Sequence, residues 1–72
     1  MNELDTMVLT HDIPSSGLRA ADVGAVVHRY SNQACEVEFV TGVGETLAVL
    51  TLSDADLRPV AAGEILHVRA LT

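Results

Sequence analysis

The sequence predicts an all-β domain built from five short strands. Three observations carry that expectation. Apolar and β-branched residues come in short runs rather than at helical spacing. Segments rich in Gly, Pro, Asn, Asp and Ser separate those runs. One run alternates cleanly between apolar and charged residues.

The elements follow in order. Residues 5–10 are rich in β-formers and read as the first strand. Residues 11–17 hold Asp12, Pro14, Ser15, Ser16 and Gly17 and read as a long surface loop; Pro14 pushes Ile13 towards an extended backbone, and Gly17 permits a positive φ. Residues 23–30 are the second strand, with a bulge or tight bend expected at Gly24. Residues 31–34 are a hairpin turn. In the third strand, residues 35–40, Cys35, Val37 and Phe39 point one way and Glu36 and Glu38 the other, so one face is wet. Residues 41–44 form a second turn around Gly42 and Gly44, and residues 45–52 the fourth strand.

Ser53 followed by Asp56 resembles a capping box with Asp in place of Glu, and Pro59 ends any helix almost at once. The expectation is one 3₁₀ turn at residues 53–58 with Leu57 dropped into the core. Residues 64–71 read as the fifth strand, with Gly63 as the break. Five short strands, a long first loop and a helical turn before the last strand give the order of a small SH3-like barrel, and residues 1–72 are read as a single domain.

The charge balance narrows the function. Ten acids stand against four arginines, lysine is absent, and the net charge is −6. Affinity for a phosphate backbone comes from Lys and Arg, so nucleic acid is a poor partner and a basic protein a better one. Tyr30 and Phe39 are the only aromatics, too few for a base-stacking platform. No apolar run approaches the ~20 residues of a membrane span, and no membrane partner is expected. Cys35 is alone, which fits a reducing, cytoplasmic setting, and residues 1–5 carry two acids and no basic segment of a secretion signal.

The residues that could carry chemistry do not form a pattern. His11, His28, His67 and Cys35 lack zinc-site spacing, so no metal or other cofactor is expected. Cys35 shares a face with Val37 and Phe39 and reads as a core residue. Ser15 and Ser16 near His11 and Asp12 sit in one loop without the rigid support a triad needs. Gly42 and Gly44 join strand to strand, with no helix to hold a phosphate. No enzymatic activity is expected. Glu36, Glu38 and Glu45 read as an acidic stripe, with Arg29 opposite Glu36 if the turn between them has an even number of residues. Asp12, Ile13, Leu18 and Arg19 read as a binding loop if the apolar pair is exposed, and as the closure of the barrel if it is not.

Residues 3–10, Asp12-Ile13-Pro14, Gly17-Leu18, residues 22–27, residues 36–39 and Leu57-Arg58-Pro59 together resemble an uncharacterised family of short bacterial proteins, a domain of unknown function. The resemblance covers about residues 3–60 and implies an antitoxin- or immunity-like role, with no site residue assigned. Ala21-Asp22-Val23-Gly24-Ala25-Val26 is similar in a weaker way to the KOW-type barrels of ribosomal and transcription factors, with Ala21 in place of their first glycine and without their basic residues. The expectation is a non-enzymatic protein-interaction module for a basic partner. The alternatives are a KOW-like ribosome-associated barrel and an accessory subunit of an enzyme, the latter able to self-associate to cover a strand edge.

Overall fold

The computed structural model describes residues 5–30 and 33–71. The chain is all-β: β1 spans Thr6–Leu9, β2 Val23–Arg29, β3 Ala34–Val40, β4 Thr46–Ser53 and β5 Leu57–Pro59, with 3₁₀ turns at Pro14–Ser16 and Asp54–Asp56. The strands form one antiparallel sheet in the order β4-β3-β2-β1-β5. The expected number of strands is present, and so is a 3₁₀ turn before the last, at Asp54–Asp56 within the expected residues 53–58. The sheet is not closed into a barrel, and β4 and β5 are its two edges.

The fifth strand lies elsewhere than expected. Residues 57–59 pair with β1 through Leu9↔Leu57, Val8↔Arg58 and Met7↔Pro59. Residues 64–71 have the β-branched content of a strand but form none. The second edge of β1 is already occupied, so local propensity finds no ladder to join. Pro59 lacks an N–H and ends the pairing.

Alternation sets the core. Met7 and Leu9, Val26, Cys35, Val37 and Phe39, Leu52 and Leu57 come from all five strands and pack together with Leu18 from the first loop. A single sheet buries such a cluster only by curling over it. The curl needs close approach at Gly24. A Cβ there would lie 2.6 Å from Val37 Cγ1 and 2.7 Å from Phe39 Cε1. Gly24 is therefore a packing glycine, and the expected bulge lies further along, between Val26 and His28, leaving Val27 partly in solvent.

The turns follow their residues. Gly17 and Gly44 have φ of 72° and 84°, and the Gly44 N–H donates to the Thr41 carbonyl at 2.9 Å. Of the predicted turn at 31–34, residues 31 and 32 lie outside the described residues, and the Tyr30 N–H closes onto the Ala34 carbonyl at 3.1 Å. The expected pairing of Arg29 with Glu36 does not form in the ladder. Residues 30–34, an odd number, separate the partners Arg29 and Cys35, so the even-numbered turn that the pairing required is not made, and His28 faces Glu36.

The reverse face of the sheet is covered in one place. Val8 is 5% exposed although it stands outside the main core cluster. Its register neighbours are Val23 and Arg58, and these three line a hollow of about 60 Å³ with Ile65 and Leu66. The segment after β5 thus crosses back over β1 and β2 as a strap.

Candidate functional site

The first loop folds against itself and against the second 3₁₀ turn. Ile13 and Leu18 form a bridge, with the Ile13 N–H donating to the Leu18 carbonyl at 2.9 Å. Leu18 is 3% exposed and belongs to the core, while Ile13 packs on the core's margin. Of the two sequence readings for this pair, closure of the core describes Leu18, and Leu18 offers no surface to a partner. The Asp12 carboxylate accepts the Ala20 N–H at 2.8 Å. Arg19 is exposed, and its backbone N–H donates to Asp22 Oδ2 at 2.9 Å. His11 fastens the loop to the turn: its Nε2 lies 2.6 Å from Asp56 Oδ1 and its Nδ1 2.9 Å from the Asp12 carbonyl. Both ring nitrogens face acceptors, so the doubly protonated ring satisfies both, and the Asp56 hydrogen bond chiefly raises the His11 pKa.

This arrangement does not make a nucleophile. Asp56 Oδ2 also accepts the Ser53 N–H at 2.9 Å and the Ser53 hydroxyl at 3.1 Å. The carboxylate stands between hydroxyl and imidazole, whereas an activated serine needs the imidazole in the middle. His11, then Ser53, hold the Asp56 carboxyl below its ordinary range. The expected capping contact is thus real, and its function is to hold the turn. Burial pushes the Cys35 thiol up, away from the reactive thiolate. Among the described residues no group of three or more His, Cys, Asp and Glu side chains is placed to hold a metal.

The sequence reading assigned no role to the Asp22–Arg69 contact. Asp22 is 8% exposed and is gripped by Arg69 from the far end of the strap. Arg69 Nε donates to Asp22 Oδ1 at 2.8 Å and Nη2 to Oδ2 at 2.6 Å. Nη2 also donates to the Gly17 carbonyl at 2.9 Å. His67 Nε2 stands 3.5 Å from Asp22 Oδ1. Arg69, then the Arg19 N–H, hold the Asp22 carboxyl below its usual range. A two-pronged Arg–carboxylate contact of this kind is directional as well as strong. A second fastener lies at the start of the strap, where Arg58 grips Glu64 through both prongs at 2.7 Å and brings its pKa down to about 2. No local spacing reveals the Asp22–Arg69 pair, since 47 positions separate the partners.

Beside this latch lies a cleft of about 310 Å³, walled by Leu18, Val23, Phe39, Leu47 and Leu71, with Asp22 and Arg69 at its side. The two polar groups satisfy each other there. His67 and Thr41 also line it, so the cleft is a mixed polar and apolar seam under the strap, with its charged pair already joined.

The outer face of β3 and β4 is arranged differently. Glu36 stands in register with Thr51, and Glu38 with Val49. Tyr30 donates its hydroxyl to Glu36 at 2.7 Å, and Thr46 donates to Glu38 at 2.5 Å. Glu45 is exposed at the start of β4. Val40, Val43 and Val49 are 55%, 82% and 46% exposed around these acids. The three sequence-predicted glutamates thus share one region of the molecule, while Asp12, Ile13 and Arg19 lie with the first loop.

The model of the family described as a domain of unknown function, DUF4926, matches residues 3–59. The chain belongs to the DUF4926 family. The match takes in all five strands and ends at Pro59, so Asp22 lies inside the family region and the strap with Arg69 lies beyond it. No curated protein and no solved structure matches the chain. Among the described residues, no helix is long and apolar enough to cross a membrane.

Proposed function

We propose that this DUF4926 protein is a non-enzymatic interaction module that binds a basic protein through the outer face of β3 and β4. The observation that carries this reading is the placement of Val40, Val43 and Val49, all exposed, among Glu36, Glu38 and Glu45. Exposed apolar residues set within a polar, charged surround are the makeup of a protein contact. The net charge of −6 favours a basic partner and speeds the encounter. An antitoxin- or immunity-like protein that covers a basic partner in the cytoplasm is the setting in which such a surface would act.

The KOW-like reading is weaker. It needs arginines free to meet phosphates, and Arg58 and Arg69 are each spent on a carboxylate of the same chain. An accessory-subunit role uses the same face and differs only in what the partner does.

A capture experiment at low and moderate salt compares the wild-type chain with the triple variant Glu36→Gln, Glu38→Gln, Glu45→Gln. A basic protein retained by the wild type, weakened by salt and lost by the variant supports the reading. Equal recovery by both chains overturns it. Nucleic-acid-bound material that disappears on nuclease treatment supports the KOW-like alternative.

A further inference from the structure

We infer that β4 is the docking edge for an extended, basic segment of the partner, which adds to the sheet as a sixth strand. The inference deepens the reading above and rests on its basic partner. An edge strand presents a row of unpaired N–H and C=O groups, and folded proteins blunt such rows with charge, proline, bulges or short length.

β4 is blunted at one end only. It is the longest strand of the sheet, at 8 residues. It contains no charged residue and no proline. A register shift disturbs it beside Val40, but from Ala48 to Ser53 the pairing with β3 is regular, from Ala48↔Phe39 to Ser53↔Ala34. This stretch is an even, uncharged template for backbone pairing.

The acids select the occupant. Val49 and Thr51 point to the outer face of β4, directly beside Glu38 and Glu36 on β3. A strand added to β4 lies roughly 10 Å from β3, two strand spacings away. A Lys or Arg on its outer face spans that gap over the small Thr51 side chain and meets Glu36. Apolar residues between the basic ones point to the inner side, where Leu50 is partly buried on the margin of the core. The recognised segment therefore alternates basic and apolar residues. A second copy of this chain fits worse, because each copy brings its own net charge of −6.

The test uses the full chain and two synthetic probes: a capped Lys-Val alternating octapeptide, and the same peptide with alternate backbone nitrogens methylated on one edge. Methylation keeps the charge and removes the ladder donors. The expected result is binding of the first probe, amide shifts centred on residues 48–53, at least about tenfold weaker binding of the methylated probe, and similar weakening by Thr51→Lys in the chain. Equal binding of both probes overturns strand addition while leaving the basic-partner reading standing. Binding of neither probe also overturns strand addition, and the glutamate-variant capture then decides the basic partner separately. A dimer of the free chain by sedimentation, with residues 48–53 protected from exchange, overturns the proposal and gives the edge to a second copy.

Discussion

The two edges of the sheet solve the same problem in opposite ways. β5 is 3 residues long, carries Arg58 and Pro59, and is followed at once by the strap. That strap crosses β1 and β2, covers Val8, and is fastened at both ends by an arginine on a carboxylate. β4 is longer, uncharged and bordered by exposed valines. One edge is closed by the chain itself, and the other is left open, among the described residues, beside three glutamates. The difference teaches where a partner belongs. Internal pairs consume the polar groups near β5, whereas Glu45 and the valines near β4 still face solvent.

The largest expected effect comes from opening the closed edge. Asp22→Ala removes the acceptor of Arg69 and of the Arg19 N–H together. Charged hydrogen bonds of this kind imply a loss of about 2 kcal/mol in urea unfolding. Exchange of the Val8 and Val23 amides should rise with it, while residues 48–53 stay unchanged. If those amides are as protected in the variant as in the wild type, the strap is not what covers Val8.

Gly24→Ala probes the packing between the edges. Its Cβ collides with Val37 and Phe39, and overpacking of this kind costs roughly 1–3 kcal/mol. Ala21→Gly acts in the opposite direction. Ala21 has φ of 77°, a left-handed backbone beside the latch. Glycine removes a penalty of about 1 kcal/mol, partly offset by its greater freedom when unfolded. A raised melting temperature checks this.

Acid should release the strap before it unfolds the sheet. The folded pKa of Asp22 is lowered from 3.8. The latch is thus fully present above that value and is lost as the pH falls through the lower folded value. Glu64, down to about 2, lets go of Arg58 only in strong acid. Amide spectra of residues 64–71 should change over this range while β3 and β4 keep their pattern. The smallest effect belongs to His11. Its folded pKa is raised above 6.5, so its contact with Asp56 contributes below that value and fades as the pH rises through the raised one. The pair is exposed, and the effect on stability should be slight. A ring titration midpoint at or below 6.5 would contradict the geometry.

Much of this architecture is legible in the sequence, and the reason is local. Cys35, Val37 and Phe39 alternate with Glu36 and Glu38, and a strand's period of two turns that alternation directly into a buried and a wet face. Ser53 and Asp56 announce the 3₁₀ turn because the contact closes within a few residues. The glutamate region is legible for the same reason, since Glu36 and Glu38 share a strand and Glu45 lies just past a glycine turn. Arg29 would face Glu36 only across an even-numbered turn; the ladder instead sets Arg29 against Cys35 with residues 30–34 between them, and the length of a turn is not written in a strand's periodicity.

By itself the sequence determined the two faces of the third strand, the turns at 41–44 and 53–58, the core places of Cys35, Val37, Phe39 and Leu57, and the acidic field, all of which follow from side chains a few positions apart. Only the tertiary structure decided that residues 57–59 rather than 64–71 complete the sheet, that Asp22 meets Arg69, and that β4 is an edge of the described sheet. The physical reason is competition for one edge. Leu57, Arg58 and Pro59 emerge from the 3₁₀ turn already beside β1 and take its free hydrogen bonds. The equally strand-like residues that follow are left to lie across the sheet, where one buried carboxylate gives Arg69 something to hold.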